Sequence, residues 1–327
     1  MEMEMEDKPV KNQQLEVSSS LEERLNLEQF KYLQVEYDHV LSPDLASELG
    51  IFAIKYLLYN PVPTMCYEHS SIQNVGGGDG RLNGSAVEEI ETPPVDVNLT
   101  NKVSQGQKKC SLEGCSKLLP MVLFLHGASA RSTCTQLLRS CALPALLDQG
   151  FAGAGGGSSE DPEAPAAPLP FLVVSPLCPP GTEWAKAPMT KALFSLMDEI
   201  MANSDLPIDP LRIYLTGISM GGLGAYMLCV RQPHRWAAVA PICGGGRPLF
   251  APLCERVPFW FFHSEEDNVI GVEETKNIAK VVPGARFTRY LHSPDPAART
   301  WMVGHNCWDR TYRGCALWRW FLEHTRA

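Results

Sequence analysis

Apolar residues follow two rhythms along this chain. Pro120–His126, Pro170–Ser175, Ile213–Thr216, Trp236–Cys243, Val257–His263 and Ala285–Leu291 are short, nearly continuous apolar runs. Continuous rather than alternating hydrophobicity predicts strands buried on both faces, the habit of a parallel sheet. The second rhythm has helical spacing. Within Met189–Met201 the apolar positions are Leu193, Leu196, Met197, Ile200 and Met201, and Gly222–Val230, Glu273–Val281 and Trp318–His324 read as further helices. Residues 135–148 carry a helical pattern broken by Pro144. Near the start, Tyr32–Val40 and Ile51–Tyr59 read as strands joined through Ser42-Pro-Asp-Leu-Ala46, an antiparallel hairpin at a sheet edge. Strands alternating with helices predict an α/β fold, a mostly parallel central sheet with helices on both faces.

Between these elements the pattern lapses. Residues 1–28 are polar and charged and read as a disordered acidic tail. Residues 61–118, with Val75-Gly-Gly-Gly-Asp-Gly80, and the Gly-, Ala- and Pro-rich residues 150–169 read as flexible insertions in one domain spanning 29–327. Asn98-Leu-Thr100 matches a glycosylation acceptor but reads as chance without a leader.

Composition narrows the function classes. Apolar residues make up 45% of the 327, enough for a large core. The net charge of −9 argues against nucleic acid or an anionic membrane surface as partner. The chain has no apolar run long enough for a membrane span, and Met1–Asp7 resembles neither a secretory signal nor a transit peptide. Eleven cysteines, an odd number with several inside core elements, read as reduced thiols in a cytoplasmic protein. Cys110 and Cys115 lack the second pair of ligands that a zinc site needs.

The stretch with chemical content is Ile213-Tyr-Leu-Thr-Gly-Ile-Ser-Met-Gly-Gly222. A β-branched run enters a Gly217-Ile-Ser219-Met-Gly221 turn, and a small, apolar helix leaves it. A serine on so tight a turn needs neighbours two residues away with almost no side chain. The following helix then points free N–H groups at charge developing on a substrate. Strand, G-x-S-x-G and helix together form a nucleophile elbow with Ser219 as nucleophile.

A serine hydroxyl needs a histidine base and a carboxylate that orients it. In chain order the acid follows the serine and the histidine comes last. Asp267, after the strand ending Phe262-His-Ser, is the candidate acid, with Glu265 and Glu266 as neighbours. His305, in Val303-Gly-His-Asn-Cys-Trp308 between the last strand and last helix, is the candidate base, with His292 and His324 as rivals. His126 and His263 end strands and read as packing or loop-orienting residues. Two backbone donors are needed for an oxyanion hole: Met220, after the nucleophile, and Ala128, after His126-Gly127. Gly127 is expected to allow a sharp turn there. Trp184 and Trp308 are candidate walls of a substrate pocket, against the alternative of packing aromatics.

Several stretches now recur together. Residues 124–128, 173–179, 212–222, 237–246, 262–267 and 304–308 resemble, in order, the "predicted peptidase" or phospholipase/carboxylesterase-type branch of the α/β-hydrolase superfamily. That branch is similar to dienelactone hydrolases, feruloyl-type esterases and acyl-protein thioesterases. The likeness covers about residues 118–325 and, more weakly, 31–60. It implies carboxylic ester hydrolysis of a small acyl substrate through an acyl-enzyme, with no metal or organic cofactor. Its nucleophile, acid and base fall on Ser219, Asp267 and His305, and its oxyanion donors on Met220 and Ala128. The chain departs from the branch at Ala128-Ser-Ala-Arg-Ser132, at Ser264 where glycine is usual, and in extra length at Ser293–Thr300. These differences bear on the substrate, since such loops wall the pocket. The same triad serves thioesterases and serine peptidases, and a non-catalytic scaffold or binding protein is the alternative from another class.

Overall fold

A computed structural model describes residues 34–61, 87–89, 118–149, 169–291 and 303–326. The tail at 1–28, most of both insertions, His292, Cys110, Cys115, Asn98 and Ser293–Thr300 lie outside the described residues.

Among the described residues nine strands form one sheet: β1 Val35–Val40, β2 Ala53–Tyr59, β3 Val87–Glu89, β4 Leu119–Leu125, β5 Leu172–Pro176, β6 Ile208–Ile218, β7 Ala238–Ile242, β8 Trp260–Ser264 and β9 Arg286–Tyr290. Their order across the sheet is β1-β2-β5-β4-β6-β7-β8-β9-β3. The stretch from β5 to β9 is parallel throughout. The expected hairpin β1–β2 lies at one edge and joins antiparallel to β5. At the opposite edge, three residues from inside the 61–118 insertion form β3, antiparallel to β9.

Every residue of β4 from Pro120 to Leu125 is buried, which explains its continuous apolar run. Period-two alternation then divides it between two cores. Met121, Leu123 and Leu125 join the cluster holding Leu193, Leu196, Tyr226 and Ile278, whereas Val122 and Phe124 join Leu143, Tyr312, Leu317 and Phe321. The helices of the first layer are α4 Ala187–Ala202, α5 Met220–Arg231 and α6 Val272–Ala279. Those of the second are α3 Ala142–Asp148, α7 Trp308–Arg313 and α8 Cys315–Leu322. Two shorter helices, α1 Pro43–Leu49 and α2 Gln136–Arg139, complete the set among the described residues.

Four local readings are revised. The β1–β2 connection is the helix α1, with Pro43 at its first position and Gly50 closing it in the left-handed conformation at φ 67°. The break in residues 135–148 falls at Ser140–Cys141, before Pro144. Pro144 is the third residue of α3, where a missing N–H costs no helical bond. Strand β6 begins at Ile208, ahead of the apolar run, because Ile208 pairs with Leu119 across a register shift that absorbs Asp209-Pro210. Helix α7, directly after His305, was not foreseen.

Strand β4 lies between β5 and β6, so the connections leaving the sheet there run in opposite directions and open a crevice at the carboxyl ends of the strands. His126-Gly127 follows β4 and Ser219 follows β6, both at this crevice.

Candidate active site

Ser219 stands between β6 and α5 with φ 55° and ψ −118°, a strained conformation for a non-glycine residue. Its N–H donates to the Ile242 carbonyl at 3.0 Å, anchoring the turn to β7. The neighbouring glycines are required by contact. A Cβ on Gly221 would strike the carbonyl of Leu125, and one on Gly217 the carbonyl of Gly221. The elbow sequence is therefore fixed by the close approach of α5 to β4.

The serine Oγ is 2.9 Å from His305 Nε2, and His305 Nδ1 is 2.7 Å from Asp267 Oδ2. His305 and Asp267 are both buried. The loops bearing them dock through backbone: Asn268 N–H donates to the Val303 carbonyl at 3.1 Å. Gly304, at φ 76°, packs where a Cβ would collide with the Glu266 backbone. This is the physical reason for glycine before the histidine.

Asp267 is saturated by donors. Oδ1 accepts the N–H groups of Val269 at 2.8 Å and Ile270 at 2.9 Å. Oδ2 accepts His305 Nδ1–H and, at 2.9 Å, His263 Nε2–H. Burial pushes the carboxyl pKa up, but hydrogen bonds from His263, His305 and the Ile270 N–H outweigh it and hold the group well below the usual carboxylate range. Because Asp267 stays anionic, His305 keeps its proton on Nδ1 and turns a bare Nε2 toward the serine. Glu265 instead binds Lys276 and Arg289 at 3.1 and 2.8 Å. His324, at the far end of α8, packs edge-on against Trp320.

Of the two roles its position offers, packing or loop-orienting, His263 takes the second. Its Nε2 also lies 2.9 Å from the Ile270 carbonyl, and Nδ1 lies 2.8 Å from Thr275 Oγ1. It thus ties the acid loop to α6. The signal was available: a histidine ending a fully buried strand needs partners for both nitrogens, and Asp267 lies four residues on.

Ala128 begins a single 3₁₀ turn, Ala128–Ala130, directly after Gly127. Neither the Ala128 nor the Met220 N–H has a backbone partner among the described residues. Met220 opens α5, where N–H groups are free by geometry. Gly127 has φ −74° and ψ 169°, open to any residue, so the turn that follows it does not require glycine by conformation. It lies beside the serine: a Cβ there would sit 3.5 Å from Ser219 Cβ, in ordinary van der Waals contact.

The two tryptophans separate. Trp308 is half-buried and sets its ring edge-on to His305, with centroids 5.5 Å apart. Trp184 is 0% exposed and walls no open pocket. It packs on Gly224 and donates its indole N–H to the His126 carbonyl at 2.9 Å. Among the described residues, no three His, Cys, Asp or Glu side chains gather as a metal-binding group, and no helix is long and apolar enough to cross a membrane.

No family model matches the chain. A bifunctional acetylxylan esterase/xylanase of Neocallimastix patriciarum is 31% identical over 91 residues, 28% of this chain. The chain spans only 13% of that relative's length. A crystal structure of a thermostable esterase matches 92% of this chain and 64% of its own at 25% identity, with a TM-score of 0.57. The fluorophosphonate-binding serine hydrolase FphF of Staphylococcus aureus matches 89% of this chain and 98% of its own at 11% identity, TM-score 0.51, a likeness of fold. With its doubly flanked β4, antiparallel leading hairpin and strand–serine–helix turn, the chain has the α/β-hydrolase fold and is similar to a thermostable esterase.

Proposed function

We propose that this protein is a serine hydrolase that cleaves a small carboxylic ester through an acyl-enzyme. The observation that carries the reading is the continuous hydrogen-bonded chain from Ser219 Oγ through His305 to Asp267, at 2.9 and 2.7 Å. His305 takes the serine proton as Oγ attacks the ester carbonyl. Asp267 holds the ring and stabilises the imidazolium. The N–H groups of Met220 and Ala128 receive the oxyanion, aided by the N-terminal end of α5. His305 then protonates the departing alcohol, and in the second half it activates water against the acyl-serine. No step calls on a metal or an organic cofactor. The esterase likeness supports an ester over an amide, whose amine is the harder leaving group.

The test is hydrolysis of p-nitrophenyl esters from acetate to palmitate by the wild type and Ser219→Ala, with fluorophosphonate labelling in parallel. We expect short-chain turnover and labelling that both vanish in the variant. A folded wild type that neither turns over nor labels would make the chain a non-catalytic scaffold.

A further inference from the structure

The oxyanion loop is held from inside by two side chains that never reach the solvent. Both His126 and Trp184 are 0% exposed. The Trp184 indole N–H donates to the His126 carbonyl at 2.9 Å, and His126 Nδ1–H donates to the Gly127 carbonyl at 2.7 Å. Two consecutive carbonyls are therefore drawn into the core. All peptide bonds of the described residues are trans. In a trans peptide the C=O and the next residue's N–H point in opposite directions. Drawing in the Gly127 carbonyl thus turns the Ala128 N–H outward, at an exposed residue whose neighbour Gly127 lies against Ser219.

We propose that His126 and Trp184 are positioning residues that preset the Ala128 N–H as an oxyanion donor before substrate arrives; this rests on the functional reading above. The other nitrogen of His126 completes the clamp. Nε2 accepts the Cys178 N–H at 2.9 Å, so the loop after β5 fixes the tautomer that donates to Gly127. Burial pushes the imidazole down to about 4, and the ring is neutral wherever an esterase would be assayed. The rings also meet edge to face at 4.9 Å, which restrains both rotations. Donors that are oriented in advance need no reorganisation when the tetrahedral intermediate forms, which is where such sites gain most of their rate.

Trp184→Phe removes one N–H while keeping an aromatic ring, His126→Leu removes the imidazole, and His126→Gln can replace its donor. For each we would measure kcat and KM on a short p-nitrophenyl ester and the Kd for phenylboronic acid, which forms a tetrahedral adduct on serine. Loss of one oxyanion donor lowers kcat by about 10²–10³-fold. We expect roughly that loss in His126→Leu, about 10-fold in Trp184→Phe and partial recovery in His126→Gln. KM should stay within about twofold, and boronate affinity should fall in step with kcat/KM. Folded Trp184→Phe with kcat and boronate affinity within about twofold of wild type would overturn the clamp even if His126→Leu does not fold. A fall in kcat with unchanged boronate affinity would overturn it too. Failure of the functional reading looks different: the wild type itself neither labels with fluorophosphonate nor binds the boronate, and the clamp then has no oxyanion to serve.

Discussion

The buried imidazole of His126 ties stability to pH in a calculable way. Burial lowers its pKa from 6.5 to about 4 in the folded protein, while the unfolded chain returns to the ordinary value. Above pH 6.5 the ring is neutral in both states and exerts no pull. As pH falls below 6.5 the unfolded chain takes up a proton that the folded chain refuses, so stability declines by up to about 1.4 kcal/mol per pH unit. The decline ends near pH 4, where the folded ring titrates as well. About 2.5 kcal/mol is gone by pH 4.5 and roughly 3 kcal/mol in all, a large share of the ~5–15 kcal/mol that holds a domain together. Urea unfolding of wild type and His126→Gln at intervals from pH 8 to 4.5 isolates this contribution, since other titrating groups are common to both. The wild type should lose about 2.5 kcal/mol more than the variant over that range. Parallel pH profiles would refute the reasoning and place a protonatable, solvated imidazole where the structure has a sealed one.

Three further outcomes follow from the site. Asp267→Asn should lower kcat by about 10⁴-fold with little change in KM, because the amide no longer selects the Nδ1–H tautomer of His305; steady-state kinetics on the same ester check this. His263→Phe removes a donor from a buried carboxylate and should lower stability by about 1.5–3 kcal/mol, with His263→Gln in between, read by urea midpoints at constant m. Gly304→Ala places a Cβ against the Glu266 backbone at a positive φ; a loss of at least ~2 kcal/mol together with most esterase activity is expected, and a fully active, equally stable variant would contradict the docking of the two loops.

Much of this was legible before any coordinates because its causes are local. The elbow needs glycines on both sides of Ser219 for contacts made within a strand–turn–helix unit, so residue type and spacing carry the message. The order serine, acid, histidine singles out Asp267 and His305 because each follows its own recognisable strand, and hydrogen bonds join the two to Ser219. Where the cause is tertiary, the sequence was silent. Trp184, in a loop beyond a strand end, reads equally as a pocket wall or a packing aromatic; only the packing of α5 on that loop, with Gly224 against its Cβ, decides for the second. His263 reads as packing or loop-orienting, and the choice between the two is tertiary, because its bond to Asp267 depends on the path of the loop after β8. The first residues of β6 read as loop because Asp209 and Pro210 break the apolar run, and their strand geometry is imposed by pairing with β4. Helix α1 was hidden in a segment short enough to read as a turn.

The strand order distributes the proposed catalytic groups unevenly. Ser219 and the oxyanion loop leave β6 and β4, interior strands flanked on both sides, and α5 is wedged against their ends. Asp267 leaves β8, nearer the margin, and His305 follows β9, whose outer neighbour is the three-residue β3. Ser219 is thus seated in the interior of the sheet, and His305, though its loop follows an outer strand, is tied back to that interior through helix α7, where the Tyr312 hydroxyl lies 2.9 Å from Thr216 Oγ1 on β6. The proposed triad is therefore assembled across the breadth of the sheet, and it is complete only while interior strands and outer loops keep their places relative to one another.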